Sequence, residues 1–435
     1  MASAVAANLY SFTVTKVHEK MLLNSASIGK NANKFYIIEL QEGTGGPEPY
    51  RIYTENGRIG AKTPQKRARW YSSYHSAFNE YHRIIDSKKK GSSHYKEVEL
   101  DDSNRTSAMH MQMTVKTKAK NEDLSEVKDK VLRLIGKLYQ NATSYLVKSI
   151  DTPLGKLSAS QVAKGLQVLS QIESLLDRGI RHGYDIERLS DEFYSEIPVK
   201  FGLRVDVRKF IIDDYLKLND RKDLLGVMNS VLQAQTTLEK TLKEKYRALN
   251  IKLKALSSRS KEFKRLVDFV QKTKGHNHHF GFEIKEIYEV IDMKGRDRFN
   301  PYNVDVKELF HGSRNENILS IMQSGLKIKP KSAVHTGSMF GSGIYFADQS
   351  TKSANYCWGF DGGRPSEENY LFVCDVATGR IKEYSQAQPH LAAAPRPFNS
   401  VKGVKGPSLI HNEYIVYNES QVKIKYIIEF KKTSR

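Results

Sequence analysis

Phe310-His311-Gly312-Ser313-Arg314 precedes Met339-Phe340-Gly341-Ser342-Gly343-Ile344-Tyr345-Phe346-Ala347-Asp348, which leads into Lys352-Ser353-Ala354-Asn355-Tyr356-Cys357. Near the end of the chain stands Asn412-Glu413-Tyr414-Ile415-Val416-Tyr417. These stretches supply a histidine, two aromatic faces, small residues that let backbone reach a ligand, and one carboxylate. Such a set suits a flat, cationic, amide-bearing ring attached to a ribose, and the nicotinamide end of NAD+ is a ligand of that kind. A lone Gly-x-Gly marks a tight turn or a close backbone contact. Gly341 and Gly343 ahead of the β-prone Ile344-Tyr345-Phe346 therefore predict a strand entered through a turn. Three separated elements in fixed order carry more than that.

Working outward, a chain of 435 residues predicts two to four domains, each large enough for its own core. The formal charge, 69 − 49 = +20, favours polyanionic partners, nucleic acid first, and says nothing about fold. Cys357 and Cys374 are the only cysteines, which excludes a disulfide scaffold and a cysteine-based zinc finger and fits a reducing compartment. Residues 1–8 are short, uncharged and small, without a basic n-region. No apolar run approaches the roughly 18 residues of a membrane helix. A soluble intracellular protein is expected.

Residues up to about 100 read as β-rich, with alternating runs at 36–40 and 50–53 broken by Gly43-Thr44-Gly45-Gly46-Pro47. Between 58 and 120 stand fourteen Lys or Arg against six Asp or Glu, interleaved with Trp70, Tyr71, Tyr74 and Tyr81. That mixture can neutralise phosphates and stack on sugar or base. For most of these aromatics the core of a small β domain is the simpler reading. A polar stretch at 101–121 reads as linker. The period then changes: Val127, Val131, Leu134, Ile135 and Leu138 share one helical face. Ser158, three residues before Gln161, predicts a capping box, and Val162, Leu166, Leu169, Ile172 and Leu176 continue at helical spacing. Helices are expected over 221–238 and onward to about 256. No nucleophile or metal constellation stands out over 121–255, so an all-α domain for packing and regulation is expected. From 257 the pattern turns α+β, with a helix at 262–271 and strands near 282–290, 371–376, 413–417 and 422–430. His276, His278 and His279 invite a metal reading but lack partners at zinc-site spacing. A solvated loop, and no metal, is expected there.

Taken in order, the three elements closely resemble the catalytic domain of the poly(ADP-ribose) polymerases, diphtheria-toxin-like ADP-ribosyltransferases with a His-Tyr-Glu triad. Upstream, Thr152-Pro153-Leu154-Gly155-Lys156-Leu157-Ser158 and Leu189-Ser190-Asp191-Glu192-Phe193-Tyr194-Ser195-Glu196-Ile197-Pro198 resemble landmarks of that family's helical regulatory domain. Lys34-Phe35-Tyr36-Ile37-Ile38-Glu39-Leu40 with Asn56-Gly57-Arg58-Ile59-Gly60 is similar to its WGR domain. The resemblance implies a multidomain α+β protein: a β-rich WGR-like DNA-binding domain at 1–105, a linker at 106–120, an all-α helical bundle at 121–255, and at 256–435 a mixed α/β ADP-ribosyltransferase domain built on antiparallel sheets. It also implies NAD+ as co-substrate, DNA strand breaks as activator, acceptor proteins including the chain itself, a role in DNA damage response and repair, a monomer off DNA, and nuclear residence if the source is a eukaryote.

The chemistry implied is cleavage of the nicotinamide–ribose bond through an oxocarbenium-like transition state. A cationic leaving group needs no general acid, so orientation, negative charge near the sugar and polarisation of the acceptor are what help. By resemblance, Glu413 is the catalytic carboxylate, with His311 and Tyr345 completing the triad. Gly312 and Ser353 would hold the carboxamide, Tyr345 and Tyr356 would flank the ring, and His311 would bond ribose hydroxyls. Ser313 and Arg314 would serve the adenosine half, and Gly343 belongs to the same NAD-binding set. Asn56, Gly57 and Arg58 are the DNA-binding candidates.

The match departs from its pattern at several points. Asn56 replaces the tryptophan that names the WGR motif, which removes an aromatic face for a terminal nucleotide. Only nine residues separate Gly403 from Glu413, where polymer-forming relatives carry a much longer segment. Met339, by contrast, fits the position that in relatives contacts the acceptor, so one wall of that site is retained, while Lys327 replaces a frequent arginine near the adenine pocket and the C-terminus lacks the terminal Leu-Trp of well-known members. Polymer extension is the reading preferred. Mono transfer with the same DNA dependence, a catalytically silent break-binding scaffold and an NAD+ glycohydrolase are its rivals.

Overall fold

The computed structural model describes residues 12–59, 63–91, 94–98, 124, 127–149, 158–199, 201, 206–235, 241–293, 299–301, 304–328, 339–358, 366–406 and 409–434. The expected linker, the N-terminal residues 1–8, residues 152–157 of the first helical landmark and Gly60 lie outside the described residues. The chain forms two compact units, one from 1–120 with 146–232 and one from 121–145 with 233–435.

The first unit begins with β1 (Thr13–Ser27), β2 (Ala32–Thr44), β3 (Tyr50–Arg58), β4 (Gln65–Tyr71), α1 (Tyr74–Lys90) and β5 (Lys96–Glu97). The strands form an antiparallel sheet in the order β4-β3-β2-β1-β5. Ala77, Tyr81, Ile84 and Ile85 recur at helical spacing and put one stripe of α1 on Ile38, Leu40 and Ile52. Tyr81 is therefore core, Trp70 and Tyr71 are half-buried, and Tyr74 stays exposed.

The helical stretch follows as α2 (Lys130–Ser149), α3 (Ala159–Asp177), α4 (Tyr184–Glu196) and α5 (Tyr215–Gln235). Ser158 caps α3 by accepting from the Gln161 N–H. The Gln161 amide, however, turns to Glu196, so the capping box expected here is only half formed. Leu166 is exposed and Gly165 takes its place on the buried face, close against Ile197 and Leu225. Residues 189–198 act as a docking segment. Asn24 donates to the Tyr194 and Ser195 carbonyls, Ser195 Oγ accepts from Ala26 N–H, and Asp191 accepts from Ile28 N–H. Main-chain groups buried between β1 and α4 are thus paired, which burial demands.

The second unit contains the first part of α2, then α6 (Leu242–Ala248), β6 (Lys252–Ala255), α7 (Lys261–Lys272), β7 (Phe280–Asp292), β8 (Val306–Gly312), α8 (Asn315–Ser324), β9 (Ile344–Phe346), α9 (Ser350–Ala354), β10 (Asn369–Ala377), β11 (Ile381–Tyr384), β12 (Ser400–Gly403), β13 (Glu413–Val416) and β14 (Val422–Ser434). One sheet runs β6-β7-β14-β10-β8 and another β11-β12-β13-β9. Pairing is antiparallel throughout except between β11 and β12. The helix expected to continue to about 256 ends at Ala248. Residues 252–255 instead alternate, Lys252 and Lys254 outward and Leu253 inward, and pair with β7.

Leu266 and Val270 of α7 pack with Phe310, Leu371, Val373, Ile428 and Phe430 in a core that pins the ends of β8 and β10. Phe310 stacks on Phe269 with ring centroids 4.6 Å apart. Burying such a ring is worth about 2–3 kcal/mol, and it fixes the two residues that follow it, His311 and Gly312.

Candidate active site

Three strand segments and one short helix bring the motif residues together. β8 pairs with β10, placing His311 opposite Phe372 and Gly312 opposite Leu371. A bridge between Phe310 and Ala347 ties the same strand to the end of β9. β9 in turn pairs with β13, with Tyr345 opposite Ile415. His311, Gly312, Tyr345, Phe346, Ala347, Lys352, Ser353, Tyr356 and Glu413 line a single cleft of about 310 Å³. A larger hollow of about 630 Å³ elsewhere in the unit is lined by residues such as Asp292, Lys327 and Glu419, and by none of the His-Tyr-Glu set. Chemistry rather than size singles out the smaller cleft.

His311 Nδ1 lies 2.9 Å from the Tyr345 carbonyl oxygen. A carbonyl only accepts, so Nδ1 carries a proton, and in the neutral form of the ring Nε2 is the acceptor. The Tyr345 hydroxyl donates to Gly341 O at 2.7 Å and accepts from Phe340 N–H at 3.1 Å, holding the ring against the turn that precedes it. Ser353 Oγ donates to the Phe310 carbonyl at 3.0 Å. A side chain at Gly312 would place its Cβ 1.8 Å from the Ser353 carbonyl oxygen, so only glycine lets β8 run this close to the α9 segment.

Glu413 is 6% exposed, at the start of β13. Its Oε1 accepts from Lys352 Nζ at 2.8 Å, while Oε2 is buried and has no hydrogen-bond partner. Lys352 also donates to the Asn412 and His411 carbonyls, at 3.1 and 3.3 Å. Burial lowers the Lys352 ammonium pKa from its ordinary value, and the Glu413 charge opposes that without overcoming it. Burial, helped by Glu413, raises the Tyr356 phenol.

Other expected residues lie apart from the cleft lining. Ser313 and Arg314 continue the chain into α8, Arg314 at its N-cap position and Ser313 Oγ 3.5 Å from the Asn317 amide. Gly343 backs the site: a Cβ there would meet Ile415 Cγ2 at 2.3 Å, so its smallness serves the β9–β13 contact. Lys327 pairs with Glu419 at 2.8 Å. Asn56, Gly57 and Arg58 end β3 in the first unit, where Arg58 donates to the Asn31 carbonyl and side-chain oxygen. The solvated-loop expectation holds for His276 and His279, which are exposed. His278 departs from it: the ring is half-buried and bonds Thr351 and Asn355. Among the described residues no group of three or more His, Cys, Asp or Glu converges as a metal site would. Among the polar residues lining the cleft, Lys352 is the one that sequence reasoning left without a role. Its only signal was adjacency to Ser353.

The unpartnered Glu413 oxygen, the acceptor nitrogen of His311 and the bare backbone at Gly312 fit the ribose hydroxyls and carboxamide of NAD+. Residues 260–408 match the model of the poly(ADP-ribose) polymerase catalytic domain, 125–252 that of the poly(ADP-ribose) polymerase regulatory domain, and 19–101 that of the WGR domain. Poly [ADP-ribose] polymerase 2 of Arabidopsis thaliana is 27% identical, over 94% of this chain and 72% of its own. Poly [ADP-ribose] polymerase 2 of Homo sapiens is 27% identical over 94% and 79%. Protein mono-ADP-ribosyltransferase PARP3 of Homo sapiens is 26% identical over 95% and 88%.

Fold and matches together define an NAD+ ADP-ribosyltransferase with a DNA-binding WGR domain. The chain belongs to the poly(ADP-ribose) polymerase family, with its catalytic, regulatory and WGR domains. No helix among the described residues is long and apolar enough to cross a membrane.

Proposed function

We propose that this enzyme is activated by DNA strand breaks and attaches and extends ADP-ribose on proteins, itself included, in the nuclear response to DNA damage. The observation that carries the catalytic assignment is Glu413: a buried carboxylate with one oxygen held by Lys352 and the other left for a ligand. In this reading NAD+ supplies the ADP-ribosyl group and nicotinamide departs. Glu413 Oε2 accepts from a ribose hydroxyl and stabilises positive charge at the sugar, while Lys352 keeps the carboxylate aimed. His311 Nε2 accepts from a second hydroxyl, with the Tyr345 carbonyl fixing its tautomer. Gly312 offers backbone N–H and C=O to the carboxamide, with the Ser353 hydroxyl as third contact. Tyr345 and Tyr356 flank the ring, Ser313 and Arg314 serve the adenosine half, and Gly343 supports the set. Asn56, Gly57 and Arg58 form part of the DNA contact, Arg58 from its seat on Asn31. Residues 121–255 act as the regulatory domain between the DNA-binding and catalytic parts of the sequence.

Mono transfer is the second reading, favoured by the short connection 404–412 between β12 and β13. Labelled NAD+ with and without nicked, 5′-phosphorylated DNA separates the two on a denaturing gel. A DNA-dependent smear above the protein band supports polymer extension, and a sharp labelled band supports mono transfer. No label in either lane, with DNA still bound, overturns both in favour of a silent scaffold or, if free ADP-ribose accumulates, a glycohydrolase.

A further inference from the structure

The helix that carries Lys352 and Ser353 toward the cleft is only five residues long, and the 3-10 turn that follows it, Asn355–Cys357, carries Tyr356. A helix this short does not hold itself together in water. Its ties come from the end of α7 and the loop after it. Ser350 N–H donates to Thr273 O at 3.1 Å and Ser350 Oγ to Val270 O at 2.7 Å. Gly275 N–H donates to Thr351 Oγ1 at 2.8 Å. His278 then bridges one helical turn, with Nδ1 2.8 Å from Thr351 Oγ1 and Nε2 3.1 Å from Asn355 Nδ2. Positions 351 and 355 share a face, so one imidazole staples the turn from which Lys352, Ser353 and Tyr356 reach the cleft. The His411 ring packs on His278 with centroids 4.6 Å apart and planes 36° from parallel, and the His411 carbonyl itself receives Lys352 Nζ.

We propose that His278 is a positioning residue for Glu413, stapling the α9 segment so that Lys352 aims the carboxylate, and that the staple with its His411 cover works only while both imidazoles are neutral. The bonding pattern calls for the neutral ring: Nδ1–H donates to Thr351, and Nε2 accepts from the Asn355 amide. A proton on Nε2 would oppose that amide and set a second cation near Lys352. The charged and titratable groups acting on the pair are Lys352, Lys405, His279 and Asp348, three cationic or basic groups against one acid. Asp348 already accepts from Asn412 and Tyr414 through Oδ2. Burial first, then neighbours including Lys352, lowers both imidazoles below the ordinary histidine value of 6.5. With folded values depressed, their contribution to the folded site is intact above pH 6.5 and is lost as pH falls through the folded values.

The inference rests on the reading of Glu413 as catalytic, and two readouts on the full chain keep the two apart. Hydrogen exchange of amides 350–357 reports the staple without chemistry, and His278→Ala should cut protection there by about tenfold or more. Steady-state NAD+ turnover between pH 5.5 and 8.5 reports the consequence. His278→Ala should lower kcat/KM about tenfold at pH 8. The double variant His278→Gln with His411→Gln, neutral at every pH, should recover part of that loss and flatten the acidic limb seen in the unaltered chain. Unchanged exchange in His278→Ala, or an identical acidic limb in the double variant, overturns the proposal. If His278→Ala does not fold, Thr351→Val, which removes the hydroxyl but keeps the shape, must reproduce the loss of protection; wild-type exchange there overturns it equally. Should Glu413→Gln retain full turnover while the exchange effect stands, the catalytic assignment fails, and with it the link from staple to Glu413.

Discussion

Glu413 and Glu429 are buried carboxylates on strands of the same unit, 6% and 2% exposed, and each is gripped by one lysine. Their remaining oxygens are treated differently. Lys137 of α2 reaches Glu429 Oε1 at 2.6 Å and Glu368 at 2.7 Å, and the Tyr288 hydroxyl meets Glu429 Oε2 at 3.3 Å. Glu413 Oε2 has no partner at all. Leaving a buried acceptor unpaired costs about 1–3 kcal/mol. The fold thus completes Glu429 and leaves an oxygen of Glu413 open, and the proposed reading assigns that oxygen to a ligand. The saturated pair does a different job: it joins the first helix of the regulatory match to the catalytic sheet through charge.

The sharpest way to break this contrast is Glu413→Gln, which keeps size and removes charge. Transfer from NAD+ should fall by about 100-fold or more, while DNA binding and the thermal unfolding profile stay unchanged. Nicotinamide release and DNA titration on the same preparation check this. Residual turnover within tenfold of the unaltered chain would mean that the open oxygen is not the catalytic group. Lys352→Met comes next. It leaves Glu413 buried with neither oxygen paired to a cation, and kcat should drop about 10- to 100-fold. Restoration by Lys352→Arg would be partial at best, since a planar fork cannot reproduce one ammonium shared among Glu413 and two carbonyls.

Much of the cleft was legible because its parts are local. His311 and Gly312 end a strand, Tyr345 sits in a three-residue strand after a glycine turn, and Ser353 and Tyr356 lie one helical turn apart; such spacing survives into three dimensions. What the residues alone did not disclose depends on long-range register. Lys352 reads like any surface lysine until β13 pairs with β9 and brings Glu413 over it. His278 reads as one of three loop histidines until α9 folds beneath it. Gly343 proves to serve strand packing, and residues 252–255 form a strand too short for its alternation to compete with the helical pattern upstream. The division of the helical stretch between two units has no local signature, since Tyr145 and Leu146 lie within one continuous helix.

Lys137→Met tests the saturated pair. Removing one partner of a buried ion pair costs about 3–5 kcal/mol, and the effect should fall toward the lower end because Lys137 keeps 19% exposure. Burial raises the Glu429 carboxyl above its ordinary 4.5, and Lys137 restrains that rise. The sign follows. A carboxyl with a raised folded value adds stability below pH 4.5 and loses it as pH climbs through the folded value. Without Lys137 the climb begins from a higher folded value, so the gap in melting temperature between variant and parent should narrow as pH is lowered from 7.5 toward 5. A gap independent of pH would show that Glu429 stays ionised without its lysine.

Tyr288→Phe is the smallest and most discriminating change. It removes one hydroxyl and leaves Glu429 Oε2 open, turning the saturated carboxylate into a structural copy of Glu413. The bond is long, at 3.3 Å, so the loss should sit near the bottom of the range for hydrogen bonds to charged groups, about 1.5 kcal/mol. Turnover should not change, because Glu429 is not among the residues that line the cleft. Calorimetry and nicotinamide release on the same variant separate these expectations. If turnover fell as steeply as in Lys352→Met, completeness at Glu429 would matter to catalysis, and an open carboxylate oxygen would no longer distinguish a ligand site from a strut.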